Sequence, residues 1–234
     1  MGKAELIEPF SDTYNEHAQI KKIPIEALKK HSNVEYAHID GTTLHLQIIT
    51  PQTRNTKESD ETYPCIVYVQ GSSWMKQNIN AKLGLLARLS ERGYVIAVVE
   101  YRHSGIAPFP AQAVDTRNAI RYVKLHAKEY KADANQMYVG GADLHHNPEL
   151  CRKMSVECNI SENVSLPQVL MFHGTKDRTI HPKVSVVVYE ALKKYHKEVQ
   201  LYMLEGADHG GSEIFSDKVL DIMEAFLQRI VSAS

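Results

Sequence analysis

Residues 65–99 read CIVYVQGSSWMKQNINAKLGLLARLSERGYVIAVV, and this stretch decides the fold. Its two ends, residues 65–69 and 94–99, are continuous apolar runs, which is typical of strands covered on both faces. The middle part, residues 81–92, repeats leucine on one helical face and is followed by Gly93, a helix stop signal. A strand, a helix and a second strand in this order predict a βαβ unit with parallel strands.

The same alternation continues on both sides of this stretch. Residues 34–50 predict a hairpin with Asp40 and Gly41 in its tight turn, and residues 51–63 predict a surface loop. Further strands are predicted at residues 137–139, 169–172 and 199–204, with helices at 113–130, at 184–195 and at 219–230. The expected fold class is α/β, a mostly parallel central sheet with helices on both faces and the hairpin at an antiparallel edge. One domain is expected over residues 34–234, with residues 1–33 packing on it.

Composition excludes several classes of function. Lys and Arg number 27 against 28 Asp and Glu, without a long run of either sign, so neither nucleic acid nor an anionic membrane is expected as a partner. No apolar run approaches the ~18 residues of a membrane span, and the first residues lack the order of a secretory signal. Cys65, Cys151 and Cys158 have no metal-ligand spacing, which predicts reduced thiols in a cytoplasmic protein. No metal and no cofactor are expected.

The loops that follow the predicted strands carry the candidate functional residues. In a parallel sheet these loops gather at one edge, where ligands bind. Asp177 follows one predicted strand, and His209 follows the next. An acid and a histidine on neighbouring strand ends are the arrangement that orients an imidazole as a general base.

Four motifs in order resemble the α/β-hydrolase superfamily. They are VYVQGSSW, VVEYRHSGIAPFPAQAVDTRNAIRYV, FHGTKD and LEGADHGG, and they are most similar to the esterase/lipase branch that includes feruloyl- and acetyl-esterase-like enzymes. The resemblance runs from about residue 34 to the end of the chain. It implies a serine-type acyl-enzyme mechanism on a small-molecule ester, and it leaves the oligomeric state open.

The resemblance also assigns site residues. It implies that Asp177 is the acid and His209 the general base. The backbone amides of Ser72 and Ser73 are the candidates for the oxyanion hole, which stabilises the charge that develops on the carbonyl oxygen. Trp74 is interpreted as a packing residue, with contact to substrate as the alternative.

The nucleophile motif departs from the family pattern. The superfamily places its serine in G-x-S-x-G at a strained turn between a strand and a helix. In MYVGGADLHH, Gly141 matches the first glycine, Asp143 occupies the serine position and His145 the position of the second glycine. Aspartate nucleophiles occur on this fold in dehalogenase-like and epoxide-hydrolase-like relatives, so Asp143 is a possible nucleophile position.

A length comparison suggests that one strand–helix unit is missing near residues 142–150. Two helices, a strand and their connections need about 40 residues between the elbow and the strand before Asp177, and residues 146–166 are about half that length. Three interpretations follow: an ester hydrolase without its elbow segment, a non-catalytic binding relative, and an Asp143 hydrolase. The first interpretation, a missing elbow segment, predicts a chain break between Val139 and Pro148. Bonded Cα atoms lie ~3.8 Å apart, so a break would appear as a longer separation. A true deletion predicts that the strand before Asp177 pairs beside residues 137–139.

Overall fold

The computed structural model describes residues 5–7, 27–52, 61–141 and 160–232. The chain divides into two compact units. The first unit comprises residues 21–146, and the second comprises residues 1–20 and 147–234. The first strand of the chain, β1 (Glu5–Ile7), therefore belongs to the second unit. The prediction of one domain over residues 34–234 stays a prediction.

The described part of the first unit holds a five-stranded sheet and two helices. Its elements are β2 (Ala27–Ile39), β3 (Thr42–Gln52), β4 (Tyr63–Val69), α1 (Leu83–Ser90), β5 (Val95–Val99), α2 (Ala111–Leu125) and β6 (Ala132–Gly141). The strand order is β2-β3-β5-β4-β6. β4 runs parallel to β5 and β6, whereas β3 is antiparallel to β2 and β5. Within this unit, the predicted parallel strands and the antiparallel hairpin at the edge are confirmed. One central sheet with helices on both faces stays a prediction, because the described strands form two sheets.

β5 lies in the interior of this unit, and all five of its residues are buried. Val95, Ala97 and Val99 pack in one apolar cluster with Ala119 and Val123 of α2. The alternate residues of β5 point to the opposite face of the sheet and are also buried. A strand buried on both faces needs a continuous apolar run, which is why the sequence of β5 does not alternate.

The hairpin turn has the backbone that its sequence predicts. Asp40 and Gly41 both have positive φ, 50° and 76°, as a two-residue type I′ turn requires. β2 begins at Ala27, earlier than the predicted start at Val34, and its register with β3 shifts between His31 and Val34. The irregular register interrupts the alternation of side chains, so the first part of the strand lacks the alternating pattern by which a strand is predicted.

The predicted helix over residues 113–130 is wrong at its end. α2 stops at Leu125, whose side chain points into solvent, and residues 126–131 form turns. Ala132 closes this segment by donating its amide to the carbonyl of Ala127, and β6 begins there. Ala127 and Tyr130 are buried, and a turn rather than a helix carries them into the core.

The described part of the second unit holds a three-stranded sheet, two α-helices and one short 3-10 helix (Ser212–Phe215). Its further elements are β7 (Val169–Gly174), α3 (Lys183–Lys194), β8 (Val199–Glu205) and α4 (Asp217–Ser232). β8 lies between β1, to which it is antiparallel, and β7, to which it is parallel. Asp217 in the first turn of α4 and Arg229 in the last complement the helix dipole. None of the helices in the described ranges is long and apolar enough to cross a bilayer.

Among the described residues, each of the two strands that flank the predicted deletion lies at the edge of its sheet. β6 pairs with β4, and β7 pairs with β8. Val139 of β6 is 61% exposed although it is an apolar residue in a strand. A true deletion predicts that the strand before Asp177 pairs with residues 137–139. No such pairing is found among the described residues. Most of the window of the predicted chain break and most of the elbow lie outside the described residues.

Candidate active site

The loops after β7 and β8 run side by side and carry Asp177 and His209. Thr175 donates its amide to the carbonyl of Leu204 at 2.9 Å, and Lys176 donates to the carbonyl of Ala207 at 3.0 Å. Gly174 permits this approach, because a Cβ atom at that position would overlap the carbonyl oxygen of Ala207. The close contact of the two loops sets the spacing of the acid and the histidine.

Asp177 and His209 form a direct hydrogen bond. Nδ1 of His209 lies 2.9 Å from Oδ2 of Asp177, within hydrogen-bonding distance. A carboxylate accepts hydrogen bonds and does not donate them, so the proton of the neutral imidazole lies on Nδ1. Nε2 is then the basic nitrogen of the ring. The His209 side chain is 35% exposed, whereas that of Asp177 is only 5% exposed.

The Asp177 carboxylate is held by other groups as well as by His209. Its Oδ1 accepts hydrogen bonds from the amides of Thr179 at 2.9 Å and Ile180 at 2.7 Å. Burial favours the protonated acid, but the Ile180 amide, His209 and the Thr179 amide outweigh burial and lower the pKa of Asp177. The acid is therefore ionised and fixed in orientation at neutral pH.

A surface ion pair joins the same two loops next to His209. The guanidinium of Arg178 binds the carboxylate of Asp208 through two nitrogens, and the Arg178 amide also donates to Asp208 at 3.1 Å. The His209 amide donates to Asp208 at 2.8 Å. The hydrogen bond from the His209 amide, followed by those from Arg178, lowers the pKa of Asp208 to about 2. This ion pair was not anticipated from the sequence, although both residues lie beside the predicted acid and base.

An open cleft of about 560 Å³ lies in the second unit beside the acid. Its wall includes both loops and the start of the segment leading to α3. The residues that line it are Thr175, Lys176, Asp177, Arg178, His181, Pro182, Gly206 and Asp208. Within the described ranges, no group of three or more His, Cys, Asp or Glu side chains is arranged to hold a metal ion.

The predicted oxyanion loop lies in the first unit, directly after β4. The Ser72 hydroxyl donates to the carbonyl of Met75 at 2.6 Å and lies 2.9 Å from the hydroxyl of Tyr101. Ser73 and Trp74 both have positive φ, 50° and 62°, which is uncommon for residues with side chains. Among the described residues, the amides of Ser72 and Ser73 take no part in a strand ladder. Their role as an oxyanion hole stays a prediction.

Trp74 packs against the ring of Tyr101, with the two centroids 5.9 Å apart. This contact agrees with the packing interpretation of Trp74. Tyr101 is buried and also donates its hydroxyl to the carbonyl of Gln70 at 3.2 Å. Support of this loop by Tyr101 was not predicted, because the contact joins the segments that follow two different strands.

The structure describes the nucleophile motif only up to its first glycine. Gly141 ends β6 with a φ of 91°, and a Cβ atom there would overlap the carbonyl oxygen of Val69 in β4. Such a close approach agrees with a glycine at the first position of the elbow motif. Asp143 and His145 lie outside the described residues, so the assignment of Asp143 as a possible nucleophile position stays a prediction.

Comparison with known families decides the classification. The model of the prolyl oligopeptidase family matches residues 115–234, more than half of the chain, and the model described as BD-FAE matches residues 46–144. The chain belongs to the α/β-hydrolase superfamily. The resemblance of its four motifs to this superfamily is thereby confirmed.

Individual relatives and solved structures that are similar to this α/β-hydrolase include ester hydrolases. "Probable carboxylic ester hydrolase LipM" of Mycobacterium tuberculosis is 28% identical over 81 residues, which are 34% of this chain and 19% of LipM. An esterase of the Planctomycetes species Thermogutta terrifontis has a TM-score of 0.69 at 21% identity, over 88% of this chain and 92% of that one. A truncated carbohydrate esterase from gut microbiota has a TM-score of 0.70 at 17% identity, over 88% and 96% of the two chains. These structures show the fold, and the match spans about a fifth of LipM.

Proposed function

We propose that the protein hydrolyses carboxylic esters and that Asp177 and His209 are its acid and general base. One observation carries the proposal: the 2.9 Å hydrogen bond between His209 Nδ1 and a nearly buried Asp177 carboxylate. This pair occupies loops that directly follow two parallel strands, where ligands bind in α/β sheets. Similarity of part of the chain to a probable carboxylic ester hydrolase supports the same reaction.

Each residue of the site has a defined role in the proposed reaction. In the serine-type reaction, His209 takes the proton of the hydroxyl nucleophile through Nε2 as its oxygen attacks the ester carbonyl, and it gives that proton to the leaving alkoxide. His209 then takes a proton from water, which attacks the acyl-enzyme and releases the acid and the free hydroxyl. Asp177 keeps the proton on Nδ1 and stabilises the imidazolium that forms. The amides of Ser72 and Ser73 donate to the oxyanion, a contribution of roughly 3–4 kcal/mol per donor in well-studied enzymes.

The proposed substrate is a small-molecule ester with a short acyl group. The Thermogutta terrifontis esterase has been solved with propionate bound and with butyrate bound. It has also been solved phosphonylated by cyclosarin. These ligands support acetate, propionate and butyrate esters as the first substrates to test, and an organophosphonate as the first covalent probe.

The identity of the nucleophile separates this proposal from its alternative. In the superfamily pattern the nucleophile is a serine, but Asp143 occupies that position here. We propose that residues 34–234 correspond to one α/β-hydrolase domain from which the elbow segment and its strand–helix unit are missing. The short segment at residues 146–166 and the edge positions of β6 and β7 support this proposal. The same observations favour, as a second candidate, a non-catalytic relative that retains the cleft for binding.

The first experiment measures hydrolysis of p-nitrophenyl acetate, propionate and butyrate. His209→Gln and Asp177→Asn are expected to lower kcat/KM at least a hundredfold, because the base or its orientation is lost. His196→Gln, at an exposed histidine of the same unit, is the matched control and is expected to leave activity unchanged. Equal activity of the wild type and His209→Gln would overturn the assigned base.

The second experiment identifies the nucleophile with a fluorophosphonate probe and mass spectrometry of the labelled peptide. Labelling of Ser72 or Ser73 would contradict the oxyanion assignment, because it would make a hydroxyl of that loop the nucleophile. Activity without labelling, together with transfer of ¹⁸O from water into Asp143 in a single turnover, would establish the Asp143 mechanism. If there is neither hydrolysis nor labelling, the non-catalytic interpretation is correct.

A further inference from the structure

A second histidine, His173, lies beside the acid and has no part in the proposed reaction. It is the fifth residue of β7, and only 9% of the residue is exposed. Its Nε2 lies 3.0 Å from the carbonyl oxygen of Ile180 and 3.1 Å from Oδ2 of Asp177. Its Nδ1 lies 2.6 Å from the hydroxyl of Ser185 in α3. A buried imidazole with partners on both nitrogens is fixed in position.

The partners of His173 determine where its proton lies. A carbonyl oxygen can only accept a hydrogen bond, so Nε2 must carry a hydrogen to bind Ile180. In the neutral ring Nδ1 is then an acceptor, and the Ser185 hydroxyl is its donor. The Nε2–H group therefore points its positive end toward the segment that holds Asp177.

This hydrogen bond restrains the segment that orients the acid. Ile180 receives the Nε2–H of His173 on its carbonyl oxygen and donates its own amide to Oδ1 of Asp177. The same Nε2 is within ion-pair distance of Oδ2, the oxygen that binds His209. His173 thus contacts the acid both directly and through Ile180.

We propose that His173 is a positioning residue, which holds the Asp177 carboxylate in the orientation that binds Nδ1 of His209. Ser185 fixes the tautomer of His173, so α3 contributes to the alignment of the acid. This inference rests on the proposed function for its effect on catalysis. Its structural part, the alignment of Asp177 against His209, can be measured without turnover.

The test compares two substitutions of His173 by NMR. A hydrogen bond to a carboxylate shifts the Nδ1–H proton of His209 downfield, so this signal reports the alignment of Asp177. His173→Leu removes the donor, and the signal is expected to broaden or disappear. His173→Gln can place an N–H group near the position of Nε2 and is expected to retain the signal. His196→Gln is the control for the loss of a histidine.

Kinetics add a second readout if the wild type hydrolyses p-nitrophenyl esters. His173→Leu is expected to lower kcat about tenfold with little change in KM, which is the usual size of effect when a group that orients a functional residue is removed. His173→Gln is expected to retain most of the wild-type kcat. If the wild type is inactive, the proposed function fails while the NMR signal still decides the role of His173. An unchanged His209 signal in a folded His173→Leu variant overturns the inference.

Ser185→Ala provides an independent variant in case His173→Leu does not fold. It removes the donor to Nδ1 and leaves the imidazole in place, so the His209 signal is expected to broaden to a smaller extent. Thermal melting curves establish that each variant is folded. The inference must also be testable if His173→Leu does not fold. In that case, a wild-type His209 signal in both folded Ser185→Ala and His173→Gln would show that the buried ring acts only through packing, and the inference would be wrong.

Discussion

At the scale of single residues, the geometry of the candidate site depends on a glycine that has no chemical role. Gly174 is the last residue of β7, and the loop after β8 passes close to its Cα atom. That loop contains Ala207, and His209 follows two residues later. A side chain at position 174 would therefore displace the backbone of this loop and change the distance between Asp177 and His209.

Gly174→Ala is expected to lower the free energy of unfolding by about 1–3 kcal/mol, the usual effect of inserting atoms into a packed site. Its new Cβ atom must displace the carbonyl of Ala207. The shift should also lengthen the bond between Asp177 and His209, so ester hydrolysis should decrease more than stability alone explains. Urea unfolding curves and kcat/KM values measure the two effects.

Gly84→Ala is the matched control for that substitution. Gly84 lies in α1, and no atom outside its local backbone would be within 4 Å of an added Cβ. Alanine is the better helix former by up to about 1 kcal/mol, so this variant should be as stable as the wild type or slightly more stable. Equal destabilisation by the two substitutions would contradict the steric explanation.

At the scale of elements, a buried ion pair fixes α2 to the segment after β5. Asp115 of α2 is fully buried and accepts hydrogen bonds from the amide, Nε and Nη2 of Arg102 at 2.9, 3.0 and 3.0 Å. Nη1 of Arg102 binds Asp40 in the hairpin turn at 2.7 Å. Arg102 therefore connects the hairpin, the end of β5 and α2.

Asp115→Asn is expected to destabilise the protein by about 3–5 kcal/mol, because it removes the buried carboxylate and leaves the buried guanidinium of Arg102 paired with the exposed Asp40. Asp40→Asn is the comparison, since Asp40 is mostly exposed and its ion pair with Arg102 should contribute much less. Chemical denaturation of both variants measures the difference. Similar values for the two would show that burial does not govern the strength of these contacts.

The elements that the sequence predicts correctly are those whose signals are local. The apolar runs of β4 and β5 and the Asp40-Gly41 turn depend only on neighbouring residues, and all three are confirmed. The start of β2 and the end of α2 were predicted wrongly because a register shift and a turn override periodicity there. The position of Asp177 beside His209 was predictable from the order of the strands. The contact of His173 with Ser185 was not, because it joins a strand to a helix through side chains alone.

At the scale of the whole molecule, stability in acid should depend on the carboxylates of the second unit. The pKa of Asp208 is lowered from 3.8 to about 2, and the pKa of Asp177 is also lowered. The folded state then binds fewer protons than the unfolded state as pH falls below about 4. Both groups therefore contribute stability above the unfolded pKa, and this contribution is lost as pH falls through the folded value.

The free energy of unfolding of the wild type is expected to decrease between pH 5 and pH 2. In Asp208→Asn the decrease should be smaller, because the substituted side chain does not titrate. Urea unfolding at a series of pH values in one salt concentration measures both slopes. A variant slope as steep as that of the wild type would show that Asp208 does not contribute.

The pairing of β1 with β8 has a consequence for how the protein is made. Residues 5–7 leave the ribosome well before their partners, residues 203–205. The backbone donors and acceptors of β1 that bind β8 must therefore find temporary partners, such as water or a chaperone, while residues 21–146 emerge and fold. The ladder between β1 and β8 can therefore form only after residues 8–202 have been synthesised.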